Sequence, residues 1–255
     1  MESIHFIKRP KEKNVLTDQQ VQTFHGDGFV KVTGLYTETE MGEMEDAFES
    51  CIKGRLRDFT HGEWKGNQPQ SKSVEGCHDL QMYDFRWTKL LLFHQPLTDG
   101  FVSLMGPNVQ LHHTKLFRKG TEQGIGFPMH QDAAWMRHEK DSLLAATIHI
   151  SDATEEMGCL KMYRGSHKSG HLPVFSKKGR YLDPDRYPIS QATAIPAKRG
   201  DVVYFNYLAI HGSDINTTNK VRKSVLIQVR NPADNNIDGQ HNGSHAQGMM
   251  LAGIA

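Results

Sequence analysis

The fold of this chain is decided by the stretch Phe127-Pro128-Met129-His130-Gln131-Asp132, which is predicted to be a β-strand after a glycine-rich turn. Side chains two residues apart on a strand point to the same face, so His130 and Asp132 are expected to meet at one point. A third polar group at that point must come from elsewhere in the chain. The stretch Ala209-Ile210-His211-Gly212-Ser213 supplies it as His211, which follows another predicted strand.

Two imidazoles and one carboxylate are suitable ligands for a divalent metal ion. When they bind one side of the ion they leave its other side open, an arrangement associated with non-haem Fe(II) oxygenases. The same ligands also suit Zn or Mn in a cupin-like enzyme that hydrolyses or isomerises its substrate. The ligand types alone leave both alternatives open.

Composition excludes several classes of protein. The 255 residues include 30 Lys plus Arg and 29 Asp plus Glu, a formal charge of +1, so no nucleic-acid partner is expected. The three cysteines are odd in number and lack metal-like spacing, which argues against a disulfide framework. No apolar segment has the character of a signal peptide or a membrane span, so the sequence predicts a cytoplasmic protein without a membrane partner.

The chain begins with a predicted helix and strand. Thr17 fits the N-cap of the helix, and Gln20 fits the capping-box partner three residues later. Gly26-Asp27-Gly28 is expected to end this helix before a strand at residues 29–32.

Two more helices and a long loop are predicted before residue 108. Apolar residues spaced by three or four predict helices over 37–57 and 87–104, the second split near Pro96. The polar residues 58–79 are rich in Gly and Ser, and we predict a loop there.

From Val109 onward the chain changes to short strands divided by Gly, Pro and Asp turns. Many short strands without repeated helices predict a β-sandwich or barrel, not βαβ units. The predicted strands cover residues 109–117, 128–134, 143–150, 158–162, 201–207 and 221–229.

The last of these strands has one polar and one apolar face. A strand with Arg, Ser and Gln on one side either faces water or lines a wet cavity, and periodicity leaves both open. A buried guanidinium needs an anionic partner, which a dicarboxylate co-substrate would supply. The polar face comprises Arg222, Ser224 and Gln228 with Leu226, and the apolar face comprises Val221, Val225, Ile227 and Val229, broken only by Lys223.

A set of short motifs runs through most of the chain in a fixed order. They are Leu16-Thr17-Asp18-Gln19-Gln20, Asp27-Gly28-Phe29-Val30, Gly106-Pro107-Asn108, His130-Gln131-Asp132, Glu156-Met157-Gly158-Cys159-Leu160, Gly165-Ser166-His167-Lys168, Gly200-Asp201-Val202, His211-Gly212-Ser213 and Arg222-Lys223. In this combination and order the chain resembles the phytanoyl-CoA dioxygenase family of Fe(II)/2-oxoglutarate-dependent oxygenases.

The resemblance implies a mainly β fold with flanking α-helices. The expected architecture is a double-stranded β-helix, a jelly-roll or cupin-like barrel, with the N-terminal helices packed outside it. A single dioxygenase domain is expected over residues 1–255, with a mainly helical flank at 1–108, the barrel core at 109–232 and a tail at 233–255.

The resemblance also implies a reaction and a set of site residues. Fe(II), the co-substrate 2-oxoglutarate and O2 would be required, and succinate and CO2 would be formed. Related halogenases lack the carboxylate ligand, so its retention favours hydroxylation. The implied residues are His130, Asp132 and His211 as catalytic metal ligands, Arg222 and Ser213 at the distal carboxylate of 2-oxoglutarate, and Thr114 or Lys115 as a further co-substrate contact.

The substrate is predicted only as a class. The chain is polar and has no long apolar stripe, which favours a small polar or zwitterionic substrate, as for family members that act on compatible solutes or aminoalkylphosphonates. An acyl-thioester substrate and a non-catalytic jelly-roll binding module are the alternatives. Candidate substrate contacts are His113, Trp135 and Arg137.

Overall fold

The computed structural model describes residues 15–53, 59–61, 64–65, 68–69, 74–121, 126–175, 180–238 and 248–253. Four α-helices lie in the N-terminal half of this part of the chain. They are α1 (Asp18–Asp27), α2 (Glu38–Lys53), the single turn α3 (Phe85–Trp87) and α4 (Gln95–Met105).

The start of α1 confirms the predicted capping box. The Gln20 N–H donates to Thr17 Oγ1 (3.2 Å), and the Gln20 side chain accepts from the Thr17 N–H (2.9 Å). These bonds satisfy two backbone N–H groups that have no carbonyl partner within the helix. Gly28 ends the helix in the left-handed conformation (φ 88°).

The second and third predicted helices are also confirmed within the described residues. α2 ends at Lys53, and residues 54–57 of the prediction lie outside the described residues. α3 continues into a π-helical turn at Thr88–Leu92, and α4 then starts with Pro96 in its first turn, where a missing N–H costs nothing. The split near this proline is therefore as predicted.

Twelve of the fourteen strands among the described residues form two main antiparallel sheets, and the other two strands pair with each other. The large sheet has the order β1-β11-β8-β13-β6-β5-β2, with β14 beside β6, and the small sheet has the order β10-β9-β12-β7. The first seven strands are β1 (Phe29–Val32), β2 (Phe59–His61), β3 (Trp64–Lys65), β4 (Gln68–Pro69), β5 (Val74–His78), β6 (Val109–Lys119) and β7 (Phe127–His130). The rest are β8 (Leu144–His149), β9 (Leu160–Met162), β10 (Thr193–Ile195), β11 (Val202–Asn206), β12 (His211–Ser213), β13 (Arg222–Arg230) and β14 (Met250–Ala252). This mainly β architecture with a curled sheet confirms the predicted jelly-roll fold.

The central strand β13 separates two environments. Its apolar side chains Val225, Ile227 and Val229 belong to a core that also contains Phe48 and Phe101 of the helices, so the helices pack on the outer face of the large sheet. The opposite face of β13 looks into a cavity between the two sheets. That face is the polar one, so its side chains line a cavity and do not face bulk water.

The prediction of a loop over 58–79 is wrong for the described part of that segment. β5 pairs with β6 from Val74↔Lys119 to His78↔Lys115, and β2 pairs with β5 in turn. Short polar strands have no apolar alternation to reveal them, and here the long neighbouring strand β6 supplies the backbone partners.

Two other predicted boundaries are corrected. The strand expected at 128–134 ends at His130, and Asp132–Ala134 form a 3-10 helix, because the Trp135 N–H donates to Asp132 O (3.0 Å). Part of the predicted tail belongs to the large sheet, since β14 pairs with β6. Within the described residues, no helix has the length and apolar character needed to span a bilayer.

Candidate metal centre and its cavity

The three predicted metal ligands meet between the two sheets. Strand β12 pairs with β7 so that His211 lies opposite His130, and the 3-10 turn after β7 brings in Asp132. Asp132 Oδ1 lies 3.8 Å from His130 Nε2 and 3.7 Å from His211 Nε2, and one ligand atom of each residue lies within 4.8 Å of the others. Among the described residues this is the one cluster of three or more such side chains.

The hydrogen bonds of both imidazoles prepare them to bind a metal. His130 Nδ1 lies 2.7 Å from the carbonyl oxygen of Pro128, and His211 Nδ1 lies 2.9 Å from that of Ala209. A carbonyl only accepts, so each Nδ1 carries a proton, and in the neutral ring the lone pair is then on Nε2. Both lone pairs are therefore directed to the side where Asp132 lies, as metal-binding histidines require.

The orientation of the carboxylate is also fixed. Asp132 Oδ2 accepts a hydrogen bond of 2.5 Å from Nε2 of Gln228, a fully buried residue of β13. Oδ1 is thus the oxygen that faces the imidazoles. The donor set of two neutral imidazoles and one carboxylate fits Fe(II) with open positions.

The cluster lies in a cavity of about 400 Å³ that both sheets line. Aromatic rings surround the imidazoles: the ring centroids of Trp135 and Tyr181 lie 5.3 and 6.2 Å from that of His130, and Phe205 lies 4.9 Å from His211. The other lining residues are His78, Lys115, Phe117, Phe127, Met136, Thr147, His149, Leu160, Gly212, Ser213, Arg222, Ser224 and Leu226.

One end of this cavity is basic. Arg222 is opposite Lys119 across the β13–β6 pair, and both side chains are buried. Lys119 Nζ donates to Ser213 Oγ (2.7 Å) and to the Asp214 carbonyl (2.5 Å), while Arg222 donates to the carbonyl of Gly158. Among the described residues no carboxylate forms an ion pair with the Lys119 amine or the Arg222 guanidinium, so this end of the cavity suits an anion.

Burial disfavours both charges, and the charge of Arg222 also disfavours that of Lys119. Burial, followed by the charge of Arg222, lowers the pKa of Lys119 to about 6. Burial lowers the pKa of Arg222 to about 10. Ser213 Oγ already accepts from Lys119 and from the Phe127 N–H (3.4 Å), which leaves its own O–H free to donate to a ligand.

The other predicted site residues divide into two groups. Lys115 and Trp135 line the cavity. Thr114 does not, because it is on the opposite face of β6, where its hydroxyl donates to Gln81 (2.7 Å) and accepts from the Leu80 N–H (2.9 Å). His113 is fully buried beside His112, and Arg137 is exposed at the surface, so neither of these two forms part of the cavity wall among the described residues.

Sequence reasoning missed four titratable residues of the cavity and its basic end. Lys119 continues the inward alternation of β6 two residues past the predicted end of that strand. His149 lies inside the predicted strand 143–150, so the alternation of that strand was already a signal for it. His78 and Tyr181 had no such signal, because the first is on a strand predicted as loop and the second is in an irregular segment.

Known proteins resemble this chain over most of its length. The family model described as phytanoyl-CoA dioxygenase matches residues 24–224. Peroxisomal phytanoyl-CoA dioxygenase of Rattus norvegicus is 25% identical over 236 residues, covering 84% of this chain and 68% of that protein. L-proline trans-4-hydroxylase of Streptomyces griseoviridis is 26% identical over 189 residues, covering 64% of this chain and 68% of that protein.

A solved structure shows the same fold. The non-haem alpha-ketoglutarate-dependent carbocyclase SnoK from nogalamycin biosynthesis superposes with a TM-score of 0.74 at 20% identity, covering 90% of each chain. Since a hydroxylase and a carbocyclase are both similar to this chain, the fold alone does not define the outcome of the reaction.

Proposed function

The chain belongs to the phytanoyl-CoA dioxygenase family of Fe(II)- and 2-oxoglutarate-dependent dioxygenases, and we propose that it hydroxylates an aliphatic carbon of a small polar or zwitterionic substrate. The observation that carries this proposal is the juxtaposition of His130, Asp132 and His211 with Arg222 in one cavity. A hydrolytic or isomerising metalloenzyme would have no evident use for the buried guanidinium.

His130, Asp132 and His211 would hold Fe(II), each through the atom that faces the other two. With 2-oxoglutarate and O2, the bound iron supplies the oxidising power that inserts oxygen into a C–H bond, while 2-oxoglutarate becomes succinate and CO2. The protein contributes the geometry of the ligands and the enclosure of the site.

Arg222 and Ser213 would bind the distal carboxylate of 2-oxoglutarate. Ser213 follows His211 by two residues on β12, so both side chains point to the same side, about 6.6 Å apart along the strand. Lys115 lies between the two ends of the co-substrate site. It is opposite Leu226 on β13, between Gln228 at the metal end and Arg222 at the basic end, and would contact the co-substrate there.

The substrate would lie against Trp135, Met136 and Tyr181, beside His130. The faces of Trp and Tyr attract a cationic ammonium group and also pack against apolar carbons. Burial raises the pKa of Tyr181, so its phenol stays protonated and can donate a hydrogen bond to an anionic group of the substrate. The aromatic faces would attract the cationic group of a zwitterion, and the phenol of Tyr181 would bind its anionic group.

Cavity size supports a small substrate. The volume of about 400 Å³ is in the lower part of the range of roughly 300–1,000 Å³ that is usual for ligand pockets. The co-substrate would occupy part of it. An acyl thioester, the alternative substrate class, would have to leave most of its length outside the cavity.

The test is succinate formation from 2-oxoglutarate by the Fe(II)-loaded protein in air. The substrate panel would contain small amino acids, cyclic amines, aminoalkylphosphonates and acyl thioesters. We expect stimulation by a zwitterionic compound and a hydroxylated product by mass spectrometry. Stimulation by a thioester alone would replace the proposed substrate class with the alternative.

The matched variant is His211→Ala, which should lose both metal binding and turnover. Unchanged succinate formation in this variant would contradict the proposed ligand set. Tight binding of Fe(II) and 2-oxoglutarate by the unmodified protein, with no turnover on any compound, would favour a binding module.

A further inference from the structure

His149 is a buried histidine that lines the cavity at its basic end. It lies on β8 opposite Ser224 of β13, and Ser224 also lines the cavity, two residues from Arg222. Lys119 is opposite Arg222 on the other neighbouring strand, β6. Three adjacent strands of the large sheet therefore place a basic side chain near the same end of the cavity.

Neither ring nitrogen of His149 has a hydrogen-bond partner among the described residues, although both atoms are buried. Leaving a buried polar group unsatisfied is unfavourable, so such a group calls for a ligand. Nε of Arg222 is likewise buried and without a partner in this part of the molecule. Two adjacent elements thus present unsatisfied nitrogen atoms at one end of one cavity.

The ligand that satisfies both side chains must accept hydrogen bonds. Arg222 only donates, and a neutral imidazole has one N–H that donates. Burial and the charge of Arg222 lower the pKa of His149 to about 3, so the imidazole is neutral at physiological pH. A carboxylate has two oxygens, one for each of these donors.

We propose that His149 donates a hydrogen bond to the distal carboxylate of 2-oxoglutarate, beside Arg222, and so helps to select a 2-oxo acid with a second carboxylate. The proposal rests on the proposed function, because it requires the cavity to bind this co-substrate. It assigns to His149 a role in binding the co-substrate and no part in the transfer of oxygen.

The experiment compares two ligands that differ only at the distal end. 2-Oxopentanoate has the same five-carbon chain as 2-oxoglutarate, with a methyl group in place of the distal carboxylate. Dissociation constants of both are measured by isothermal titration calorimetry on the Mn(II)-loaded protein, so the readout does not depend on turnover.

We expect His149→Phe to weaken binding of 2-oxoglutarate about tenfold or more and to leave the affinity for 2-oxopentanoate nearly unchanged. His149→Asn and His149→Gln each keep a side-chain donor, at the positions of Nδ1 and Nε2, and one of them should recover part of the affinity. These two variants also provide a test if the phenylalanine variant does not fold.

The matched control is His94→Phe, which removes another buried imidazole, one that stacks on Tyr36 (ring centroids 4.0 Å apart) outside the cavity lining. This variant should bind both ligands as the unmodified protein does. If the His149 variants bind 2-oxoglutarate normally, or lose affinity equally for both ligands, the contact with the distal carboxylate is refuted. Failure of the unmodified protein to bind 2-oxoglutarate would instead refute the proposed function itself.

Discussion

The amide of Gln228 and the carboxylate of Asp132 are joined by a hydrogen bond of 2.5 Å inside the protein. Gln228 has no exposed surface, and it lies six residues from Arg222 on the same strand and the same face. β13 therefore contacts the candidate metal centre near one end and forms the basic end of the cavity near the other.

Gln228→Leu should weaken metal binding without removing a ligand. Because the amide holds Oδ2 and leaves Oδ1 to face the imidazoles, its loss frees the carboxylate to rotate, and partners of this kind are typically worth 10–100-fold in metal affinity. The measurement is a titration of the metal-free protein with Mn(II) or Fe(II) under anaerobic conditions. An affinity within twofold of the unmodified protein would show that the hydrogen bond does not orient Asp132.

Arg222→Ala should weaken 2-oxoglutarate binding at least 100-fold and change Fe(II) affinity little. The guanidinium is the strongest donor at the basic end, and a carboxylate left there without it would be poorly compensated. Arg222→Lys serves as the control that keeps the charge but loses the planar donor geometry, so an intermediate affinity is expected. Equal 2-oxoglutarate affinities in all three proteins would exclude Arg222 from the site.

The strongest predictions from sequence were those with two independent physical signals. His130 lies in a predicted strand and His211 follows one, and strands exist at both places, as β7 and β11. The short strand β12, which carries His211 itself, is not among the predicted strands. The two faces of β13 were assigned correctly, but periodicity could not decide between water and a cavity. The polar face of β13 lines a cavity because the small sheet covers it from the other side.

Residues whose roles depend on strand pairing were beyond single-strand reasoning. Lys119 lies two residues past the predicted end of β6 and is in register with Arg222, a relationship that only the strand pairing gives. The sequence predicts Thr114 or Lys115 as the co-substrate contact without deciding between them, because a shift of one residue in register moves a side chain to the other face of a sheet. The pairing Lys115↔Leu226 places Lys115 on the cavity side.

The buried amine of Lys119 predicts a specific dependence of stability on pH. Its pKa of about 6 in the folded protein is well below the ordinary value of roughly 10.4, so between these pH values the unfolded chain binds more protons. Stability should therefore rise with pH across this window. Groups near the amine include Arg222, Asp214 and Cys159, and they are present in both proteins to be compared.

The comparison is with Lys119→Met, which fills the site without a titrating group. Urea unfolding at pH 6.5, 7.5 and 8.5 should show a slope that is steeper in the unmodified protein, by up to about 1.4 kcal/mol per pH unit. Parallel pH profiles would mean that Lys119 is protonated in the folded state, with its three carbonyl and hydroxyl acceptors holding the ammonium form.

Gly100 of α4 marks where the outer helices press most closely on the large sheet. A Cβ atom there would lie 2.3 Å from the Tyr204 hydroxyl oxygen and 2.5 Å from its Cζ. Tyr204 is fully buried and donates to the Leu97 carbonyl (3.1 Å), so it has no room to move aside. Gly100→Ala should lower the free energy of unfolding by about 1–3 kcal/mol, because overpacking exceeds the gain in helix propensity of roughly 1 kcal/mol.

Gly42→Ala in α2 is the matched control, since a Cβ there meets nothing within 4 Å, and it should stabilise the protein slightly. Urea unfolding measures both, and equal stabilisation by the two substitutions would contradict this close packing of α4 on β11.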